Sequence, residues 1–314
     1  MDDVNTRRKD YVPYIAIAIV IVALAVVVYY VAFTGKARAG STNGLASYGT
    51  NGSAGSSTNA IVASGTAGQP SSSLGVPSLS KYDNIPVPGN VLSLLNVPEN
   101  ISNTVGIGTA YKGAIAILGN RSMLTSDSKP EILYMGAEYC PYCAAERWAM
   151  VIALSRFGSF SNLHFMTSSA SDYSPSTPTF TFYNSTYTSP YITFVGVEQT
   201  TNKLGPTGYV HLQQPTSGEF ALQNEYNPNG SMPFILFANR SIDMGAMFDP
   251  YSVLYGKNWT TIAQEMYNTS SAQSQSIIGS ADLLTEQICS ADNDTPSSVC
   301  SQPYVAAIRQ SLGS

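Results

Sequence analysis

Charge is the scarcest ingredient of this chain. Asp, Glu, Lys and Arg make up 11% of its 314 residues, 15 basic against 20 acidic, for a net charge of −5. An average soluble domain carries about 25%. So few cations, unclustered, exclude a nucleic-acid partner. Histidine is nearly absent: His164 and His211 each stand alone, and a zinc site needs a second ligand pair. Four cysteines carry all the thiol chemistry, and no internal repeat is visible. What replaces charge is Ser, Thr, Asn and 20 Tyr, a neutral polar surface of the kind found outside a cell. Hydrophobic residues at 44% exclude global disorder.

From Tyr14 to Phe33 there is no charge, Gly or Pro. At a 1.5 Å rise the segment covers about 30 Å, the thickness of a hydrocarbon core. Tyr11, Tyr14, Tyr29 and Tyr30 sit at its ends, where amphipathic rings favour the interface. Ala37-Arg38-Ala39 has the small-x-small form of a cleavage site, but a secretory apolar region is shorter, about 7–15 residues. An uncleaved anchor is expected. The organisation read from this is a cytoplasmic tail over 1–13, a transmembrane helix over 14–33, a flexible Gly/Ser/Thr-rich linker over 34–81 and a folded body over 82–314. The linker cannot bury enough surface to offset its ordering entropy, and its coil dimension of about 40 Å lifts the body clear of lipid.

Within the body, strands are expected at Ala114–Leu118, Ile132–Met135, Leu163–Thr167, Tyr191–Val197 and Phe234–Phe237. Ala145, Trp148, Ala149 and Ile152 fall at helical spacing, with Ala144, Val151 and Leu154 as a second apolar strip and Gly158 as the expected stop. Pro175 to Pro190 reads as loop. Thr216-Ser217-Gly218-Glu219 has capping-box spacing and opens a helix towards Tyr226. The tail from Asn258 reads as three helices. The fold class is α/β, a central sheet flanked by helices with a C-terminal helical appendage.

The chemistry lies in Cys140-Pro141-Tyr142-Cys143, where a strand runs into a helix. Cys140 falls at the N-cap, where unpaired N–H groups and the helix dipole favour a thiolate. Pro141 suits the first helical position. Cys143 lies one turn on, within disulfide reach. An outer thiolate that attacks and an inner thiol that resolves make a thiol–disulfide couple. Soft-metal handling is a minor reading of the same pair.

Ala137-Glu138-Tyr139-Cys140-Pro141-Tyr142-Cys143 resembles the active-site turn of the thioredoxin superfamily, with the Pro-Tyr dipeptide usual in glutaredoxins. That resemblance implies a cis-proline beside the cysteines, just before a core strand, and Met232-Pro233-Phe234-Ile235-Leu236-Phe237 has that form. It implies catalytic Cys140 and Cys143, a substrate-binding surface of Pro141, Tyr142, Met232 and Pro233, and no cofactor. It covers roughly 110–270. Two departures stand out: Tyr134 occupies the position of a buried acid, for which Glu138 or Glu146 are the substitutes, and Ala238-Asn239-Arg240-Ser241 replaces a glutathione-holding Gly-Gly pair. The layout around Tyr139–Trp148 is also similar to an uncharacterised archaeal family of anchored thioredoxin-like proteins, domain of unknown function 929.

Cys289 and Cys300 are expected to form a structural staple, with a relay to Cys140 and Cys143 as the sharper alternative. Closing that loop contributes roughly 3 kcal/mol. Two disulfide-capable pairs suit an oxidising compartment. So do sequons at Asn51, Asn100, Asn120, Asn184, Asn229, Asn239, Asn258, Asn268 and Asn293. The expectation is therefore a single-pass membrane protein, N-terminus cytoplasmic, whose extracytoplasmic domain exchanges disulfides with exported proteins or a membrane thiol-redox partner. The competing expectation is a non-enzymatic cell-surface binding or scaffold protein.

Overall fold

The computed structural model describes residues 79–119 and 121–313. The expected tail, transmembrane helix and nearly all of the linker lie outside the described residues. Leu79–Tyr82 forms a 3-10 turn with Leu79 buried, so ordered structure begins before Tyr82. In chain order the elements are α1 (Gly89–Leu95), α2 (Glu99–Val105), β1 (Ile115–Ile117), β2 (Thr125–Ser126), β3 (Lys129–Gly136), α3 (Pro141–Ser155), β4 (Ser159–Ser161), β5 (His164–Thr167), β6 (Pro178–Thr181) and β7 (Thr186–Thr188). They continue with β8 (Thr193–Glu198), β9 (Thr200–Gly205), β10 (Gly208–His211), α4 (Ser217–Tyr226), β11 (Phe234–Phe237), β12 (Ser241–Met244), α5 (Pro250–Leu254) and α6 (Trp259–Glu265). A π-helical turn (Ser274–Ile278) then leads into α7 (Gly279–Ala291), α8 (Ser297–Cys300) and α9 (Pro303–Leu312).

An uninterrupted apolar run has no wet face and belongs inside a sheet. Ile132–Met135 behaves so: β3 is central, antiparallel to β11 on one side and parallel to β8 on the other. The sheet continues from β11 to β12 and β1, giving a mixed α/β architecture. Side chains of β3 alternate between its faces. Ile132 and Tyr134 join Trp148 of α3 in the larger core, whereas Leu133 and Met135 join Phe234, Leu236 and Val197 under Leu222 and Tyr226 of α4. The result is three layers, with α3 and α4 on opposite faces.

The C-terminal helices are not an appendage. Trp259, Ile262, Leu283, Leu284, Ile288, Val305 and Ile308 belong to the same core as α3, and α7 packs directly along it. Almost every residue of α7 is buried, which a helix hung on the outside could not achieve. Within this layer Cys289 and Cys300 are disulfide-bonded to each other, with Cα atoms 5.5 Å apart.

Other differences have local causes. The segment 175–190 holds two strands: β6 is fully buried although half of it is Thr, because Thr179 Oγ1 donates to Ala144 O at 2.8 Å and Thr181 Oγ1 to Glu138 at 2.7 Å. Gly158 does not cap α3, which ends at Ser155; it is needed because the Thr188 carbonyl lies where a Cβ would stand. The capping box is present in both halves, Glu219 N to Thr216 Oγ1 and Thr216 N to the Glu219 carboxylate. Among the described residues no helix is long and apolar enough to cross a membrane.

Candidate active site

At the end of β3 the chain leaves the sheet and turns into α3. Gly136 permits this because the Tyr134 hydroxyl and ring fold back over it, in the space a Cβ would take. Cys140 is the N-cap of α3 and Pro141 its first residue. The Cys143 N–H donates to Cys140 Sγ at 3.3 Å. Both cysteines are free thiols, Cys140 at 7% exposure and Cys143 at 0%.

Their environments push the two pKa values apart. A hydrogen bond from the Cys143 thiol, the backbone N–H groups of Cys143 and Tyr142, and the positive Arg147 side chain lower that of Cys140 against the opposing effect of burial. Burial, then the neighbouring Cys140 sulfur, raises that of Cys143 well above the ordinary thiol value. One sulfur is prepared to attack while the other keeps its proton.

Arg147 is the residue that sequence reasoning missed. It lies one turn beyond Cys143 and is wholly buried with Glu198 in a two-pronged ion pair, Nε to Oε1 at 2.8 Å and Nη2 to Oε2 at 2.6 Å. Nη2 also donates to Ala137 O at 2.7 Å, tying the pair to the turn itself. Glu198 reaches this place because the parallel β3–β8 register sets it opposite Gly136. The available signal was an arginine within a helix apolar on two sides, a charge that burial obliges to find a partner.

The Tyr134 phenol holds its proton: burial raises its pKa well above the usual value. Its ring lies under Arg147, 5.9 Å from centroid to guanidinium carbon. Glu138 is buried two residues before Cys140, and burial first of all raises its pKa to about 7 against the easing bond from Thr181.

Glu146 is engaged elsewhere. It faces Asp243 of β12, both wholly buried, and Met247 N–H donates to its Oε2 at 3.3 Å. Burial raises both pKa values, Glu146 to about 7 and Asp243 well above its usual value, the nearby Glu146 carboxyl adding to the rise of Asp243. Acids whose pKa rises on folding stabilise fully below their unfolded values, and that stability is lost as pH climbs through the folded ones. Stability to urea is therefore expected to fall from about pH 4 through pH 7 and beyond. In Asp243→Asn, which removes the acid whose pKa rises most and leaves an amide able to donate to ionised Glu146, the fall should flatten and stability at pH 8 should rise. A series of urea midpoints across this range checks it, and parallel curves for the two proteins would refute the raised pKa of Asp243.

Of the residues expected to bind substrate, Pro141 is buried in the first turn of α3, whereas Tyr142 is 41% exposed beside the sulfurs. Pro233 is buried just before β11, at the level of Gly136, since Phe234 pairs with Met135. Met232 is half-buried, and the Met232–Pro233 bond is cis. Cys289 and Cys300, bonded to one another, are not linked to Cys140 or Cys143. The segment 168–215 packs on the turn: Ser169 N–H donates to Tyr139 O, Glu138 N–H to Thr200 O, and Tyr209 of β10 stacks on Tyr139 at 3.9 Å. Among the described residues no cluster of three His, Cys, Asp or Glu side chains could hold a metal.

The sequence profile of a domain of unknown function, DUF929, matches residues 117–290. The chain belongs to the DUF929 family. No curated protein and no solved structure matches it. The DUF929 region runs from the end of β1 into α7 and holds Cys140, Cys143, Arg147, Glu198 and Pro233 together. Cys289 falls within it and Cys300 beyond it.

Proposed function

We propose that this DUF929 protein is a thiol–disulfide oxidoreductase on a thioredoxin-like fold, anchored to the membrane with its folded body outside the cytoplasm. The observation that carries the reading is the sulfur of Cys140 at the cap of α3, receiving hydrogen bonds from Cys143. The place of Pro233, before a core strand and level with the turn, supports the thioredoxin-like assignment. The Cys289–Cys300 disulfide supports an oxidising compartment, and the apolar stretch from Tyr14 to Phe33 supports the anchor.

In this reading the Cys140 thiolate attacks one sulfur of a protein disulfide. The new S–S bond forms as the old one breaks, and the departing thiolate takes a proton. Cys143, on giving up its proton, then attacks Cys140, closes the Cys140–Cys143 disulfide and releases the second substrate thiol. The substrate gains two electrons and the protein dithiol loses two. Run backwards, the same steps hand a disulfide to a reduced substrate, and a membrane thiol-redox partner of dithiol or disulfide form resets the pair.

Alkylation of the reduced protein by iodoacetamide tests this. The reaction should be confined to Cys140, with a pH midpoint below the ordinary thiol value of about 8.5. A midpoint at or above that value removes the activated nucleophile. A reduction potential below about −300 mV would mark an inert bridge and favour the scaffold reading.

A further inference from the structure

Four partly exposed tyrosines form a continuous row that starts between the two cysteines. Tyr142 stacks on Tyr173 with ring centroids 6.2 Å apart and planes within 6°. Tyr173 meets Tyr251 at 5.8 Å, and Tyr251 stacks on Tyr255 at 4.6 Å. Each ring is between 39% and 57% exposed, although aromatic side chains on a soluble surface are ordinarily better covered. The row joins three separate parts of the chain: the active-site turn, the loop before β6, and α5 with its end.

What this row would receive follows from where it begins and what lies beside it. It starts at the reacting sulfurs, so its occupant arrives with a disulfide or thiol, which under the oxidoreductase reading belongs to a protein segment. Side chains on one face of an extended chain repeat every ~6.6 Å, close to the first two ring spacings. The flanking charge is negative. The Asp249 carboxylate lies beside the Tyr173 hydroxyl, and Asp172 precedes Tyr173 in the chain. Lys257, two residues past Tyr255, is already paired with Glu265 at 3.0 Å. Faces of aromatic rings with carboxylates alongside favour ammonium and guanidinium groups.

We propose that Tyr142, Tyr173, Tyr251 and Tyr255 form the subsite along which an extended, Lys- or Arg-bearing segment of a substrate protein lies while its disulfide meets Cys140. This rests on the oxidoreductase reading and names its substrate class. The row selects; the sulfurs react.

The test uses the reduced full-length protein and three mixed disulfides of one chromogenic aromatic thiol. Two are with short peptides carrying Lys or Glu at alternate positions, and the third is with 2-mercaptoethanol. Each peptide rate is divided by the mercaptoethanol rate. The Lys peptide should exceed the Glu peptide about tenfold, with the advantage shrinking as salt is added. Tyr173→Ser/Tyr251→Ser should erase the preference, whereas Tyr173→Phe/Tyr251→Phe keeps it. Asp249→Asn, which preserves the cap of α5, should reduce the preference severalfold. Equal ratios for both peptides in the unmodified protein overturn the subsite alone. Binding of a neutral oligosaccharide that competes with no peptide does so too. Failure of even the mercaptoethanol disulfide to react overturns the oxidoreductase reading and the subsite with it.

Discussion

A Cys140→Ser protein is expected to reduce no insulin disulfides at all while keeping its fold. Serine is among the preferred N-cap residues, so α3 loses little. Chemistry fails for a separate reason. A helix terminus favours an anion by about 0.3–1 kcal/mol, and up to ~2 in partly buried geometry. That bias helps a thiol, already close to ionising at neutral pH, and does little for an alcohol. Cys143→Ser should fail differently. Its Cys140 still attacks, but no second sulfur is present to release the product, so a protein–substrate mixed disulfide accumulates. Mass spectrometry under non-reducing conditions distinguishes the two outcomes. Insulin reduction by Cys140→Ser at the unmodified rate would remove Cys140 from the mechanism.

The second large effect is expected at Arg147 and Glu198. Removing either partner strands a charge that is wholly buried, and such breaks cost about 3–5 kcal/mol. Arg147→Met and Glu198→Leu should each lower the urea midpoint sharply. The double variant should recover most of that loss, because a packed apolar pair can replace a buried ion pair with little net change. Cys140 separates this structural effect from the electrostatic one. In the double variant the fold is restored yet the positive side chain that lowers the Cys140 pKa is gone. Its alkylation midpoint should therefore rise. Glu198→Gln, where folded, should shift it the other way, since the cation then loses its neutralising partner. Unchanged midpoints in both would assign Arg147 to stability alone.

Much of this architecture is legible in local sequence. β3 announces itself as an apolar run, the turn as a cap residue followed by Pro, and α4 through a capping box whose two hydrogen bonds both form. These elements are governed by neighbours a few residues away. Where distant partners decide, the reading fails. β6 looks like loop because its threonines satisfy their hydroxyls through α3 and Glu138, contacts that no local pattern encodes. The β9–β10 hairpin was open to reading from Gly205-Pro206-Thr207-Gly208, a turn signature. The C-terminal helices show apolar faces without saying which surface they cover, and so look detachable. Arg147 is the sharpest case: its partner Glu198 lies 51 positions away and is brought to it only by strand pairing.

The parallel alignment that sets Glu198 opposite Gly136 therefore does more than hold two strands together. A slip by one residue would send that carboxylate through to the other side of the sheet, stranding the guanidinium and detuning the sulfur. The activation proposed for Cys140 therefore draws on strand alignment as well as on its own turn, whose Cys143 thiol and Cys143 and Tyr142 N–H groups also lower its pKa. Transplanting Cys140-Pro141-Tyr142-Cys143 into a foreign scaffold would carry the sulfurs and their local hydrogen bonds across and leave the guanidinium's share of the tuning behind.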